Sequence, residues 1–413
     1  MPIRYSIRKI PPVLYLDTQD FSRFGDVLRG VSDTQFEDIF LLLENKVKNG
    51  EVICAMSMPV LGELLQYNAD YRDTTIKKAE AVERLCGSWA LACPTRLIAA
   101  EIAEAASALN FLTIERDTSP LTNDGYWYPN VAEVFEDLKE RLKSTFDEEL
   151  AKVKLEHRWQ RRKFKRAAKG INLASFLGER APEIAEQFRL PVKSINDSIV
   201  ALIQNNVTPE QASRILFSVI AKPTKFVEMY FETIEVDRSA LPSWMSSLGA
   251  QLEQILIEFR AKTQPLITIR GGREIAESEF STWPEVLGRS VLKLGQSDAS
   301  EFGISLEMFD DFVNVEELFA RLATPRIAGH LLVAYALQIS GITSSNAKIE
   351  RSFGGDLIHA LYLPHVDLWR GDRRFSNLVR QHIPIYAGKV VSDRKSTRLN
   401  SSHHRLSRMP SSA

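Results

Sequence analysis

The sequence predicts an α/β fold in which a parallel sheet, built from both ends of the chain, is interrupted by a mostly α-helical insertion. Short apolar runs alternate with helical patterns near the N-terminus, helical patterns fill the middle, and the alternation returns near the C-terminus. Strands that alternate with helices are typical of parallel sheets with right-handed crossovers. A sheet interrupted in this way brings together residues that are distant in sequence.

The first elements follow a strand–helix–strand–helix order. The run VLYLD at 13–17 is short and apolar and ends in a carboxylate, as a buried strand does where it reaches the edge of a sheet. TQFEDIFLLLENKVKNG has apolar residues at helical spacing and ends at Gly50, a favourable helix C-cap. EVICAMSM predicts a second strand, and PVLGELLQY predicts a helix that begins at Pro59. Two further helices are predicted at about 73–90 and 95–109.

The middle of the chain predicts helices almost throughout. Residues 130–169 form one long helical pattern with few helix-breaking residues, and shorter helices follow, separated by clusters of Pro, Gly and Ser. PLITIR is the clearest strand pattern in this part. After residue 345 the sequence predicts a helix at 356–363, a strand at 366–369, a helix at 373–382 and a last strand at KVV.

Domain boundaries follow from these changes in pattern. The α/β domain takes residues 1–115 and 346–392, and the segment that we name the helical insertion takes residues 116–345. DRKSTRLNSSH resembles the in-frame translation of a sequencing adapter, and the composition after Val391 changes abruptly to Ser, Arg and His. We therefore interpret residues 393–413 as an adapter-derived artefact, with a disordered basic tail as the alternative, and exclude them from the fold.

Composition restricts the function classes. The chain has 413 residues, of which 44% are hydrophobic and 25% charged, as in a soluble globular protein with a large core. The formal net charge of −1 confines any nucleic-acid surface to a local patch. Cys54, Cys86 and Cys93 lack metal-finger spacing and predict reduced thiols in a cytoplasmic protein. AGHLLVAYALQISGI is too short and too polar for a membrane span, so no membrane partner is expected.

Carboxylates follow several of the predicted strands. In an open parallel sheet the carboxyl ends of the strands meet at one edge, so these carboxylates are expected to converge there. Unpaired, they would repel one another and raise each other's pKa, a conflict that a bound Mg²⁺ or Mn²⁺ resolves. Such a site is suited to phosphodiester hydrolysis. The members of the set are Asp17, Glu63, Asp356, Asp367 and Asp372.

Each of these carboxylates also has an ordinary explanation, because single Asp residues commonly cap helices and end strands. Glu101 and Glu104, three residues apart on one predicted helix, are interpreted as surface charges, and membership of Glu101 in the acidic set is the alternative. His359 follows Asp356 by three residues on the same helix face, where it could orient a carboxylate or a phosphate, or be a buried structural histidine. His365 does not give the spacing of a zinc-binding helix, so zinc is set aside.

Three segments resemble the PIN-like nuclease family. They are VLYLDTQDF, SMPVLGELL and GDLIHALYLPHVDLWRGDRRFSNL, which follow the family's order of strand–Asp–Thr, helical Glu, Asp-x-x-His-Ala and a final Asp after the next strand. The resemblance covers roughly residues 10–110 and 350–392 and leaves the helical insertion unexplained. It implies a three-layer α/β/α PIN-like domain with a central parallel sheet.

The resemblance also implies a metal-dependent ribonuclease. Many members of the family act in toxin–antitoxin or defence systems, which implies an antitoxin or another inhibitor protein as a partner. Thr18 would support the site through its hydroxyl, whereas Gln19 departs from the family's frequent Asn. Asp367 is either a fifth metal ligand or only a turn residue. The implied catalytic residues, which are also the ligands for Mg²⁺ or Mn²⁺, are Asp17, Glu63, Asp356 and Asp372.

A basic stretch in the helical insertion, KLEHRWQRRKFKRAAK at 154–169, interleaves Lys and Arg with Trp159 and Phe164. On a helix it would form a face able to follow a phosphate backbone and to stack on unpaired bases. The alternative is a solvated helix face whose aromatic residues pack on a neighbouring element. The candidate nucleic-acid-binding residues are Arg158, Arg161, Arg162, Lys163, Lys165 and Arg166.

Three classes of function are relevant to these patterns. The leading hypothesis is a metal-dependent nuclease that acts on RNA rather than DNA, with the helical insertion supplying substrate selection or a partner surface. A phosphatase with Asp17 as nucleophile would need a general acid two residues later, where Gln19 cannot serve. A non-catalytic binding or scaffold protein is the alternative, although it would not need every acidic position to be filled.

Overall fold

The computed structural model describes residues 11–32, 34–65, 71–132, 134–141, 190–204, 207–234, 281–340 and 352–392, with isolated positions in 144–185 and 251–261. This part of the chain combines many helices with a small parallel sheet, so the prediction of a mixed α/β fold is confirmed at that level. Within it, no helix is both long and apolar enough to cross a membrane. PLITIR, most of 130–169 and all of 393–413 lie outside the described residues.

The described strands are β1 (Val13–Tyr15), β2 (Ile53–Cys54), β3 (Ala90–Leu91), β4 (Leu121–Thr122), β5 (Leu368–Gly371) and β6 (Val390–Ser392). The main sheet has the order β2-β1-β5-β6, and all of its neighbouring strands are parallel. β1 therefore lies between a strand from its own end of the chain and a strand from the far end. β3 pairs with β4 in the antiparallel direction, and a parallel bridge between Met56 and Ala90 joins it to the chain after β2.

Helices connect these strands and make up the described part of the helical insertion. In the N-terminal part, α1 to α3 begin beside Asp17, Thr34 and Pro59, residues that favour the first turn of a helix. The helices are α1 (Thr18–Leu28), α2 (Thr34–Lys48), α3 (Met58–Leu64), α4 (Arg72–Cys86), α5 (Pro94–Ala108), α6 (Val192–Gln204), α7 (Pro209–Phe217), α8 (Pro223–Ile234), α9 (Trp283–Leu292), α10 (Leu306–Asn314), α11 (Glu316–Phe319), α12 (Ala323–Ser340), α13 (Ser352–Ala360) and α14 (Arg373–His382).

The predicted helix at 73–90 ends early, at Cys86. Gly87 has a φ of 56°, a conformation that glycine adopts readily and other residues rarely do, so the helix stops there. Ala90 and Leu91 then lie fully buried in β3. The sequence pattern missed β3 because a strand of two residues is too short to show the alternation that identifies strands.

Tyr15, in the N-terminal part of the chain, packs in the core against residues from the C-terminal part. It lies on β1, is fully buried, and stacks against Tyr362 and Trp369 with ring centroids 5.5 Å and 6.5 Å apart. Trp369, on β5, donates a hydrogen bond of 2.9 Å from its indole N–H to the backbone carbonyl of His359 on α13. Large buried aromatic side chains contribute strongly to core stability. These contacts fix α13 against β1 and β5.

The helical insertion packs against α5 through a 3₁₀ helix at Lys293–Phe302. Gly295 permits this close approach, because a Cβ at that position would lie 2.8 Å from Ile98 Cγ2. Arg96 and Glu301 form a buried ion pair across the same contact, with 2.9 Å between Nε and Oε1. Buried charges persist only when they are paired and hydrogen-bonded, so this pair fixes how the two elements dock.

Asp298, on the same 3₁₀ helix, makes folding stability depend on pH. Burial raises the pKa of Asp298 to about 7, and the neighbouring Glu301 also raises it. The unfolded chain releases this proton at a lower pH, so the contribution of Asp298 to stability is expected to fall as the pH rises from about 4 to about 7. The carboxylate accepts a hydrogen bond from the N–H of Asn130, and an asparagine oxygen can accept the same bond.

We therefore expect Asp298→Asn to become more stable than the wild type as the pH rises, by about 1–3 kcal/mol at about pH 8. Urea unfolding of both proteins between about pH 5 and about pH 8 measures the difference. Other ionisable groups are common to both proteins and cancel in the comparison. A difference that does not change with pH would contradict the raised pKa.

Candidate metal centre

Asp17 ends the first strand segment and begins α1. Its carboxylate accepts a hydrogen bond of 2.8 Å from the backbone N–H of Thr18 and so caps the helix. Burial raises the pKa of Asp17 to about 6. The nearby carboxylates of Glu63 and Asp20 also raise this pKa, whereas the charge of His359 lowers it. Asp17 is therefore a helix cap that also faces a cluster of charged groups.

Glu63 and His359 complete a group that could hold a metal ion. Glu63 lies on α3 and His359 on α13, and one ligand atom from each of these residues and from Asp17 lies within 4.8 Å of the other two. Gly355, on α13, lies close to Glu63, because a Cβ at that position would lie 3.0 Å from Glu63 Oε1. Three elements that are distant in sequence thus contribute to one site.

His359 is contacted on both sides of its ring. Nδ1 lies 2.5 Å from the hydroxyl oxygen of the buried Tyr15, which in turn lies 3.0 Å from Ser57 Oγ. Nε2 lies 3.1 Å from Glu63 Oε1, although the two groups are not aligned for a hydrogen bond. The ring is therefore positioned by the core on one side and faces the carboxylates on the other.

The charges of the centre shift one another's pKa values. Burial acts to lower the pKa of His359, but the carboxylates of Glu63, Asp17 and Asp356 outweigh it and raise that pKa to about 9. Burial acts to raise the pKa of Glu63, but His359 and the adjacent hydroxyl of Thr18 hold it below its usual range. The imidazolium of His359 thus offsets part of the negative charge of the cluster.

Asp356 and Asp372 form a second pair of carboxylates beside this group. Asp372 follows β5 and caps α14, accepting a hydrogen bond of 2.8 Å from the backbone N–H of Phe375. Burial and the carboxylate of Asp372 raise the pKa of Asp356 to about 8, and the charges of Glu63 and Asp17 also contribute. Four of the five carboxylates predicted from the sequence therefore lie at the same end of the sheet.

Of the two alternatives for Asp367, its contacts favour the turn residue over the metal ligand. Its carboxylate accepts a hydrogen bond of 2.8 Å from the N–H of Val13, and its own N–H donates to the carbonyl of Val13. Both contacts lie where β1 and β5 begin, whereas the other carboxylates lie where the strands end. The four residues of β5 span about 13 Å, so carboxylates at its two ends cannot bind one cation.

The interpretation of Glu101 as a surface charge is wrong. Glu101 is buried on α5, where it accepts hydrogen bonds from the backbone N–H and the hydroxyl of Thr324 on α12. His365 Nε2 lies 2.8 Å from Glu101 Oε1, so the residues form a polar cluster that links α5 to the helical insertion. Glu104 is exposed and accepts a hydrogen bond from Thr118, as a surface charge can.

Sequence reasoning missed the pair Asp20–Arg370, which lies close to the centre. Arg370 Nε lies 2.7 Å and 2.6 Å from the two carboxylate oxygens of Asp20. The buried Asp20 in turn adds to the raised pKa of Asp17. A signal was present, because Asp20 follows Asp17 by three residues on a predicted helix and Arg370 immediately precedes the Gly-Asp step that ends β5.

Most of the basic stretch falls outside the described residues, including Arg158, Arg161, Lys163, Lys165 and Arg166. Arg162 and Trp159 are described, and both are exposed. Binding of nucleic acid by this stretch stays a prediction.

The side chains of the centre fit a divalent cation. Mn²⁺ accepts both carboxylate and imidazole ligands, and Mg²⁺ is usually held by one or two carboxylates together with water. His359 Nε2 and Thr18 Oγ1 are both buried and both lie beside Glu63. A cation between Asp17 and Glu63 would relieve the repulsion between the carboxylates and lower the pKa of His359, which would favour the neutral imidazole that a metal ligand requires.

No family model matches the sequence, and the searches of curated proteins and of solved structures gave no significant match to the chain. Function is therefore inferred from the chemistry and the position of the side chains.

Proposed function

We propose that this chain is a metal-dependent nuclease with a PIN-like arrangement, which hydrolyses phosphodiester bonds in RNA. The observation that carries the proposal is the meeting of carboxylates from both ends of the chain with His359, where the parallel strands end. The order of the main sheet and its parallel direction are compatible with the three-layer α/β/α domain that the sequence resemblance implies.

In this proposal, Asp17 and Glu63 hold the cation with His359 beside them, and Asp356 and Asp372 extend the acidic site toward the substrate. A bound Mg²⁺ or Mn²⁺ would increase the acidity of water and offset the negative charge that develops on the phosphate. The contributions of the chain are the fixed positions of its ligands and the exclusion of bulk water.

Several hydrogen bonds hold the side chains of the site in place. The N–H of Thr18 fixes the carboxylate of Asp17, the N–H of Phe375 fixes that of Asp372, and the hydroxyl of Tyr15 fixes the ring of His359. Carboxylates that are held in place before the cation and the substrate bind need little rearrangement during the reaction.

Cleavage of a generic single-stranded RNA in the presence of Mn²⁺ tests the proposal. We expect Asp17→Asn and Asp356→Asn to reduce the rate by at least about 100-fold, because each removes a charge that the site needs. Asp367→Asn is the matched control, since its carboxylate lies at the opposite edge of the sheet and an asparagine oxygen can still accept the N–H of Val13. Equal rates in the wild type and in all three variants would contradict the assignment.

A toxin or defence role, with an inhibitor protein as partner, belongs to the same proposal and depends only on the sequence resemblance. Binding of RNA that needs no metal and leads to no cleavage would instead favour a non-catalytic binding protein. The same RNA substrate distinguishes these outcomes when binding and cleavage are measured side by side.

A further inference from the structure

A small cavity opens beside Asp356 and Asp372. Its volume is about 60 Å³, which is room for about four water molecules or one phosphate group. Tyr335 and Gln338 come from α12 in the helical insertion, and the other lining residues come from α13 and from α14 with its N-cap. The remaining residues that line it are Phe353, Asp356, Asp372, Arg374, Phe375 and Leu378.

Aromatic side chains make the wall of the cavity rigid. The rings of Tyr335 and Phe353 stack with their centroids 3.7 Å apart, and Phe375 packs against Phe353. All three rings are buried. The guanidinium of Arg374 lies 5.8 Å from the centroid of the Tyr335 ring, so the arginine lies against this wall. The polar groups that line the cavity are therefore held by closely packed aromatic side chains.

The charges that line the cavity suit a phosphate once a cation is present. Two carboxylates and one guanidinium leave a single negative charge when all are ionised, which would repel a phosphodiester. A divalent cation held beside them by Asp17 and Glu63 would offset part of the negative charge of Asp356 and Asp372. Arg374 adds a positive charge at the wall of the cavity, where it can donate to a phosphodiester oxygen.

We propose that this cavity is a phosphate subsite, in which Arg374 binds a non-bridging oxygen of the RNA strand and Gln338 brings the helical insertion into contact with the substrate. Arginine is suited to this role because its planar guanidinium can donate two hydrogen bonds to one phosphate. The inference depends on the proposed nuclease function, since the subsite lies beside the same carboxylates. Through Gln338, α12 would then take part in selecting the substrate.

Equilibrium binding tests the subsite without relying on cleavage. Otherwise wild-type protein, which keeps all of its carboxylates, is titrated with a fluorescein-labelled single-stranded RNA in Ca²⁺, a cation that takes the same oxygen ligands, at several salt concentrations. Adding Arg374→Ala is expected to weaken binding about 10-fold and to lower the slope of log K against log salt by about 0.7, the value for one lost phosphate contact. Arg374→Lys should recover part of the affinity, and Gln338→Ala should weaken binding by a smaller factor.

Arg373→Ala is the matched control, because Arg373 is an exposed neighbour on the same turn and does not line the described cavity. Equal effects of Arg373→Ala and Arg374→Ala would overturn the subsite, since they would indicate general attraction by positive charge. Cleavage by the wild type with a KM unchanged in Arg374→Ala would also overturn it while supporting the nuclease. RNA binding that requires Arg374, in a protein that cleaves no RNA, would support the subsite and contradict the nuclease.

Discussion

Replacing Asp356 by asparagine is expected to stabilise the metal-free protein and, at the same time, to abolish Mn²⁺-dependent cleavage of RNA. Burial and the carboxylate of Asp372 raise the pKa of Asp356 to about 8, so the ionised form is unfavourable in the folded protein. An amide of nearly the same shape avoids that cost. Because the folded pKa is raised, the gain should grow as the pH increases from about 4 to about 8, reaching about 1–2 kcal/mol.

Thermal unfolding in a chelating buffer at about pH 8 measures this gain, with an expected increase in Tm of about 2–4 °C. Addition of Mn²⁺ should then raise the Tm of the wild type more than that of Asp356→Asn, because only the wild type keeps the negative charge of Asp356 beside the cation. Asp367→Asn again serves as the control, and neither its stability nor its response to Mn²⁺ should follow the pattern of Asp356→Asn. A variant that is less stable than the wild type in metal-free buffer, or that still cleaves RNA, would contradict the prediction.

This combination of gain and loss reflects how the centre is held together. Asp17 and Asp356 both have raised pKa values, and His359 carries the compensating positive charge. The aromatic contacts of Tyr15 and Trp369 hold α13 in place despite the repulsion among the carboxylates. Stability supplied by the core thus maintains an arrangement of charges that would be unfavourable by itself, as is common at functional sites.

The position of the acidic centre could be predicted because it depends on local patterns and one general rule. Asp17 ends an apolar run, Asp372 follows the predicted strand at 366–369, and Glu63 and Asp356 lie on the helices that approach the same edge. The carboxyl ends of parallel strands meet whatever the distance between them in sequence. Once the strands were recognised, the convergence of these four carboxylates followed.

The sequence pattern did not indicate the environments of Asp367 and Glu101, and each case has a specific structural cause. Asp367 precedes β5 while Asp372 follows it, so the two residues that bracket the strand lie at opposite edges of the sheet. Glu101 is buried because Thr324, from the helical insertion, covers its face of α5. No local pattern indicates a contact between residues so distant in sequence. The role of Tyr15 in positioning His359 was missed for the same reason, since an apolar strand pattern does not identify the partner of a hydroxyl group.

The largest loss of stability is expected from removing the charge of Arg96. Its guanidinium pairs with the buried carboxylate of Glu301 and donates hydrogen bonds to the backbone carbonyls of Asp117 and Ser119. Arg96→Ala would leave the carboxylate of Glu301 buried without its cation, and breaking a buried pair in this way costs about 3–5 kcal/mol. Arg116→Ala is the matched control, because Arg116 contacts Glu210 at 3.5 Å on the surface, where such pairs contribute at most about 1 kcal/mol.

Urea unfolding of the two variants distinguishes a buried from a surface contribution. If most of the loss in Arg96→Ala comes from the unpaired carboxylate, then adding Glu301→Gln should restore part of the lost stability, although Glu301→Gln alone would be destabilising. Such a coupling between the two positions would show that the docking of α5 on the 3₁₀ helix depends on the ion pair. If Arg96→Ala instead loses no more than Arg116→Ala, the carboxylate must reach water or a proton after the substitution, and apolar packing around Gly295 and Ile98 would be what holds the helical insertion against the sheet domain.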